Sequence, residues 1–95
     1  MSEPAAAERI PKLARGVRLH HDKSRDAWVL LAPERVLQPD PVALEILKRV
    51  DGEASVAASV DDLAASFSAP RERIEPDVET FLGGLAEKGF VEYLP

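Results

Sequence analysis

Between Val17 and His21 the chain alternates, with Val17, Leu19 and His21 on one side and Arg18 and His20 on the other, which predicts a half-buried strand. Asp22-Lys23-Ser24-Arg25-Asp26 is a polar link of hairpin length. Ala27 to Leu31 is apolar on both sides, the pattern of a central strand covered on two faces, with Trp28 its largest side chain. Glu34 to Gln38 alternates more weakly and is cut off by Pro39, which predicts a third strand at the edge of the sheet.

Helical spacing follows. Asp40-Pro41 combines a capping oxygen with a proline preset for the first helical position, and Ala43, Ile46, Leu47 and Val50 then form one apolar face up to Asp51-Gly52. Val56, Val60, Leu63, Ala64 and Phe67 define a second helix capped by Ser55 and broken at Ser68-Ala69-Pro70. Ile74, Val78, Phe81, Leu82 and Leu85 define a third. Pro76 lacks an amide donor, so the pattern predicts a short turn from Pro70 to Glu75 and then the main helix to Lys88; the alternative is one longer, kinked helix. Gly83 and Gly84 each weaken that helix by about 1 kcal/mol relative to alanine. Gly89 stops it, and Phe90 to Leu94 reads as a short closing strand.

The order is α+β: an N-terminal three-stranded antiparallel sheet followed by a three-helix bundle, winged-helix-like in its last half. At 95 residues the chain has material for one core, expected over residues 10–95, with residues 1–9 as a disordered N-terminal tail. There is no cysteine, so no thiolate metal site, iron–sulfur cluster or disulfide framework can form. The longest wholly apolar run is Ala27 to Ala32 and no basic n-region precedes an apolar stretch, so a cytoplasmic location is expected.

Net charge is −5, unevenly spread. Residues 9–35 carry seven basic and three acidic side chains, whereas residues 49–95 carry four basic and ten acidic. The first stretch can attract an acidic partner, or the opposed charges can pair within the fold.

Catalysis finds little support. His20 and His21 are adjacent on a strand and point to opposite faces, so they do not share a metal, and no third histidine exists. Asp61 and Asp62 point different ways on a helix, and no phosphate-binding glycine loop is present. A DNA-reading third helix is disfavoured by sign, since Arg71, Arg73 and Lys88 are outnumbered by Glu72, Glu75, Asp77, Glu79 and Glu87. A peptide-binding module fits better, because an edge strand beside an apolar helix face offers main-chain pairing and side-chain pockets together. A winged-helix DNA-binding or dimerisation module is the alternative, as an open edge also pairs with a second copy; the domain is expected to be a monomer or a weak or domain-swapped dimer.

Several runs carry a family resemblance. Residues 11–19 (PKLARGVRL), 28–37 (WVLLAPERVL), Ile46-Leu47 with Val50-Asp51-Gly52, and Asp77-Val78 with Phe81-Leu82 resemble the pyrroloquinoline quinone (PQQ) biosynthesis protein D family (PqqD), over about Ile10 to Val91. Residues 28–37 are the most specific part. The resemblance implies a non-catalytic peptide chaperone, a recognition element of ribosomally synthesised and post-translationally modified peptides (RiPPs). Such a chaperone has no cofactor of its own. It binds the precursor peptide (PqqA) and associates with the radical S-adenosylmethionine (SAM) enzyme (PqqE) that cross-links a glutamate and a tyrosine of that peptide. It further implies that the peptide adds as a strand beside the third strand and lies against the third helix. That nominates Glu34, Arg35, Val36, Leu37 and Gln38 for the strand and Ile74, Val78, Phe81 and Leu82 for the helical wall. Arg18, Lys23 and Arg25, together with Arg35, are expected to steer an acidic peptide electrostatically.

Overall fold

The computed structural model describes residues 8–94. Four strands come first, β1 (Ile10–Leu13), β2 (Arg18–Asp22), β3 (Ala27–Leu31) and β4 (Val36–Leu37). Three helices follow, α1 (Pro41–Leu47), α2 (Val56–Phe67) and α3 (Arg71–Glu87), and β5 (Val91–Leu94) closes the domain. The class is α+β, as the pattern predicts. Most of the expected tail, residues 1–7, lies outside the described residues; of the remainder, Arg9 accepts a hydrogen bond on its carbonyl from the Val56 amide at 2.9 Å.

Strands β2, β3 and β4 form the expected antiparallel sheet with β3 in the middle. Leu19 opposes Leu30, Leu30 opposes Leu37, and His21 opposes Trp28, so these five side chains share one face. Leu30 is 1% exposed within a core shared with Ile46, Leu47, Val60, Leu63, Val78 and Leu82. Trp28 stacks on the His21 ring at 4.7 Å between centroids, and the Lys48 ammonium stands 5.2 Å from its centre. The opposite face holds Arg18, His20, Val29, Leu31 and Val36, where Val29 and Leu31 are half-buried and Val36 is exposed. The apolar run of β3 is therefore covered on one side, not two. Its outward residues pair across the sheet with His20 and Arg18, whose carbon atoms give partial cover.

The strand β1 is not foreseen by the pattern. It pairs antiparallel with β5, Pro11 opposite Tyr93 and Leu13 opposite Val91, as a separate two-stranded sheet. Pro11 reads as a breaker in isolation, yet an edge strand has amides that face away from its single neighbour and tolerates a missing donor. Gly16, at φ +81°, then turns the chain into β2.

Local signals place the helix starts well. Asp40 Oδ1 accepts from the Ala43 amide at 2.7 Å and Ser55 Oγ from the Ala58 amide at 3.1 Å, both as expected of these caps. The first helix ends at Leu47, short of Val50, because Arg49 and Val50 donate three residues back, to Ile46 and Leu47, and tighten the last turn. Asp51 then accepts from the amides of Ala54 and Glu53, bonds that hold its carboxyl below the usual range.

The third helix corrects the expectation of a turn from Pro70 to Glu75, for α3 runs unbroken through Pro76. Pro76 lies in the second turn of α3, where it removes one bond to the carbonyl of Glu72, an exposed residue. The first turn is anchored independently. Arg71 Nε meets Asp61 of α2 at 2.5 Å and its Nη1 meets Glu75 at 2.8 Å, while Ile74 packs against the core.

Candidate functional site

Strand β4 follows a turn closed by the Ala32 amide donating to the Arg35 carbonyl at 2.9 Å, and Pro39 ends it by withholding a donor. Among the described residues it pairs with β3 alone, so its outer margin carries main-chain groups without a neighbour strand. Beside it lies a cleft of about 260 Å³. Leu30 and Leu37 form its sheet side; Gln38, Pro39 and Asp40 line it from the link, Ala43 and Leu47 from α1, and Phe81, Leu85 and Lys88 from α3.

A second depression of about 290 Å³ adjoins the first at Lys88, which lines both. Arg15, Arg35 and Lys88 border it with Glu34, and the Arg35 guanidinium lies 5.9 Å from the centre of the Phe90 ring. None of those three cations has an ion-pair partner among the described residues. The cleft is therefore apolar on its Leu30, Leu37, Ala43, Leu47, Phe81 and Leu85 walls, polar where Gln38 and Asp40 enter from the link, and joined at Lys88 to the cationic depression beside the β3–β4 turn.

The residues nominated from the sequence divide on this geometry. Leu37 faces the cleft and Gln38 borders it, Glu34 and Arg35 border the cationic depression, and Val36, 61% exposed, stands on the outer face of the sheet. Of the four helix residues, only Phe81 lines the cleft. Val78 and Leu82 are each 1% exposed and belong to the core, while Ile74 lines a separate small cavity with Val42, Ile46, Leu63 and Phe67. The cause is helical phase. The periodic apolar row marks the centre of the buried face, whereas the wall of the cleft lies to one side of it, Phe81 standing about 60° around the helix from Val78 and about 100° from Leu82. Leu85 and Lys88, four and seven residues after Phe81, complete that wall and are not among the residues nominated; their spacing from Phe81 is the signal that identifies them.

The steering cations do not form one patch. Arg18 opposes Leu31, at the same end of the sheet as Arg35, whereas Lys23 and Arg25 occupy the β2–β3 turn at the other end. Arg25 stands 3.9 Å from Asp22, whose carboxyl is held below its usual range chiefly by the Ser24 hydroxyl. His21 Nε2 lies 3.2 Å from Asp26, and His20 is exposed on the opposite face. Among the described residues no three histidine, aspartate or glutamate side chains are grouped to hold a metal. No helix among them is long and apolar enough to cross a membrane.

A sheet margin open above an apolar cleft, with a helix as the far wall, defines a domain able to take in an additional strand. Residues 27–91 match the family model for Coenzyme PQQ synthesis protein D, and the chain belongs to that PqqD family. It is 51% identical over 81 residues to a PqqA binding protein of Bradyrhizobium diazoefficiens, covering 85% of this chain and 79% of that one. A PqqA binding protein of Xanthomonas euvesicatoria is 49% identical, with 82% and 85% covered. The fold matches the solution structure of the PqqD truncation of Methylobacterium extorquens PqqCD, a functional, stand-alone RiPP recognition element. The TM-score is 0.75 at 40% identity, covering 93% of each chain. A crystal structure of PqqD from Xanthomonas campestris matches at TM-score 0.55 and 46% identity, covering 92% and 89%.

Proposed function

We propose that this domain is a non-catalytic peptide chaperone of PQQ biosynthesis, which binds the precursor peptide PqqA as an added strand on β4 and presents it, in the cytoplasm, to the radical SAM enzyme PqqE. The observation that carries the reading is the open margin of β4 above the cleft between Leu37 and Phe81. Relatives named as PqqA binding proteins and a solved recognition element of the same fold support it.

The energetics assign separate tasks to separate groups. A strand this short offers a handful of main-chain hydrogen bonds at about 0.5–1.5 kcal/mol each, against an association cost of about 4–15 kcal/mol. Main-chain pairing fixes register, and the apolar wall must supply affinity. Leu37, Phe81 and Leu85 bury apolar peptide side chains, with Gln38 at the rim. Val36 lies on the other sheet face, where it contacts peptide residues that point away from the cleft. Arg15, Arg35 and Lys88, with Arg18 at the same end, attract the acidic part of the peptide and set its direction. Lys23 and Arg25 add only to the long-range field.

Hydrogen exchange and calorimetry test this together. With saturating PqqA, amide exchange across residues 34–38 slows, and Leu37→Asp weakens binding at least tenfold by placing a charge against the apolar wall. Equal exchange with and without peptide, or wild-type affinity in folded Leu37→Asp, would exclude binding at this margin.

A further inference from the structure

Gly83 and Gly84 are consecutive glycines inside a helix, and the free domain gives no reason for either. Their backbone is helical, unlike Gly16, Gly52 and Gly89, whose positive φ values require glycine. Crowding does not require them, because among the described residues a Cβ added at either position meets nothing within 4 Å. Each glycine lowers helix stability relative to alanine without returning any packing to the isolated molecule.

Their directions differ. Gly84 lies three residues after Phe81 and four before Lys88, so it falls on the same stripe of α3 as these two cleft residues. Gly83, about 100° further round, borders a different cavity with Arg9, Glu79 and Tyr93. Gly84 is half-buried and stands just outside the lining of the cleft, so a peptide passing along α3 from Lys88 to Phe81 runs beside it.

We propose that Gly84 is a peptide-contacting position, where the absence of a side chain lets the backbone of an extended peptide settle directly against α3. The inference rests on the cleft being the peptide site. Bound strand and helix lie closest there, and a methyl group at residue 84 holds them apart, displacing the strand either from the β4 margin or from the Phe81 wall. The residue of the peptide opposite Gly84 is accordingly held by its main chain.

The test compares wild type with Gly83→Ala, Gly84→Ala and Leu37→Asp by thermal unfolding and by calorimetry with a PqqA peptide. Both alanine variants are expected to raise the unfolding midpoint by about 4–8 °C. Gly84→Ala is expected to weaken peptide binding at least tenfold, and Gly83→Ala to leave it within twofold. Binding by Gly84→Ala at the level of Gly83→Ala overturns the proposal. Equal losses in both variants overturn it too, since helix flexibility would then be the cause. A Gly84→Ala protein that is not stabilised shows that the position is occupied in the free domain, with the same result. The Leu37→Asp variant separates the two levels: if it binds like wild type the cleft itself is the wrong site, whereas if it alone loses binding only the role of Gly84 falls.

Discussion

Ser59 is a polar residue in an apolar place. It is 4% exposed on α2 between Val56, Val60 and Leu63, and its hydroxyl finds no hydrogen-bond partner among the described residues. A buried, unsatisfied hydroxyl loses its water without recompense, so Ser59→Ala is expected to stabilise the domain by about 1 kcal/mol. Chemical denaturation checks this, and unchanged or lower stability would point to a partner that the hydroxyl acquires in solution. The sequence gives no warning of Ser59, because its neighbours at positions 56, 60 and 63 already complete the periodic face that the pattern predicts. The adjacent pair Phe81 and Leu82 shows the same limit. Both read as members of one apolar row, yet Leu82 is sealed in the core and Phe81 turns to the cleft, a division set by where β4 and α1 sit and not by anything in the row itself.

At the scale of elements, legibility follows the range of the forces involved. The caps at Asp40 and Ser55 act on amides three residues away, so the helix starts are written locally and read to the residue. Strand β1 exists only because β5, at the far end of the chain, pairs with it, and a four-residue segment containing Pro11 carries no local trace of that partner. Helix α3 combines both cases. Pro76 is a local signal to break, overruled by the anchoring of Arg71 to Asp61 and Glu75 and by the burial of Val78 and Leu82 beyond it. The helix thus persists at the cost of one main-chain bond. Pro76→Ala is expected to restore that bond and raise stability by about 1–3 kcal/mol, without moving the helix boundaries. A destabilised variant, or one in which amide shifts between residues 70 and 76 reveal a new conformation, would show that proline sets the start of the helix.

At the scale of the molecule, a net charge of −5 coexists with a positive corner. Acidic side chains of the helical half are engaged within it, Asp62 and Glu45 with Arg49, and Asp61 and Glu75 with Arg71. Among the described residues Arg15, Arg35 and Lys88 lack such partners, and they border the depression that adjoins the cleft. Attraction of an acidic peptide to that corner acts over a distance and is screened by salt, about 10 Å at 0.1 M. The PqqA association rate is therefore expected to fall with ionic strength, and Arg35→Glu to slow association at low salt and flatten the dependence. Stopped-flow measurement with the same peptide decides it; a rate indifferent to salt in the wild type removes the electrostatic role. The pairing of β1 with β5 has a different bearing. Ile10 and Leu94 stand opposite each other in the ladder, so two covalent tethers, one at each terminus of the folded unit, would depart from a shared exit. Neither Ile10 nor Leu94 lines the cleft or the depression beside it, so the domain has the geometry of a portable adaptor: a head-first and a tail-first fusion should present the same face to cargo.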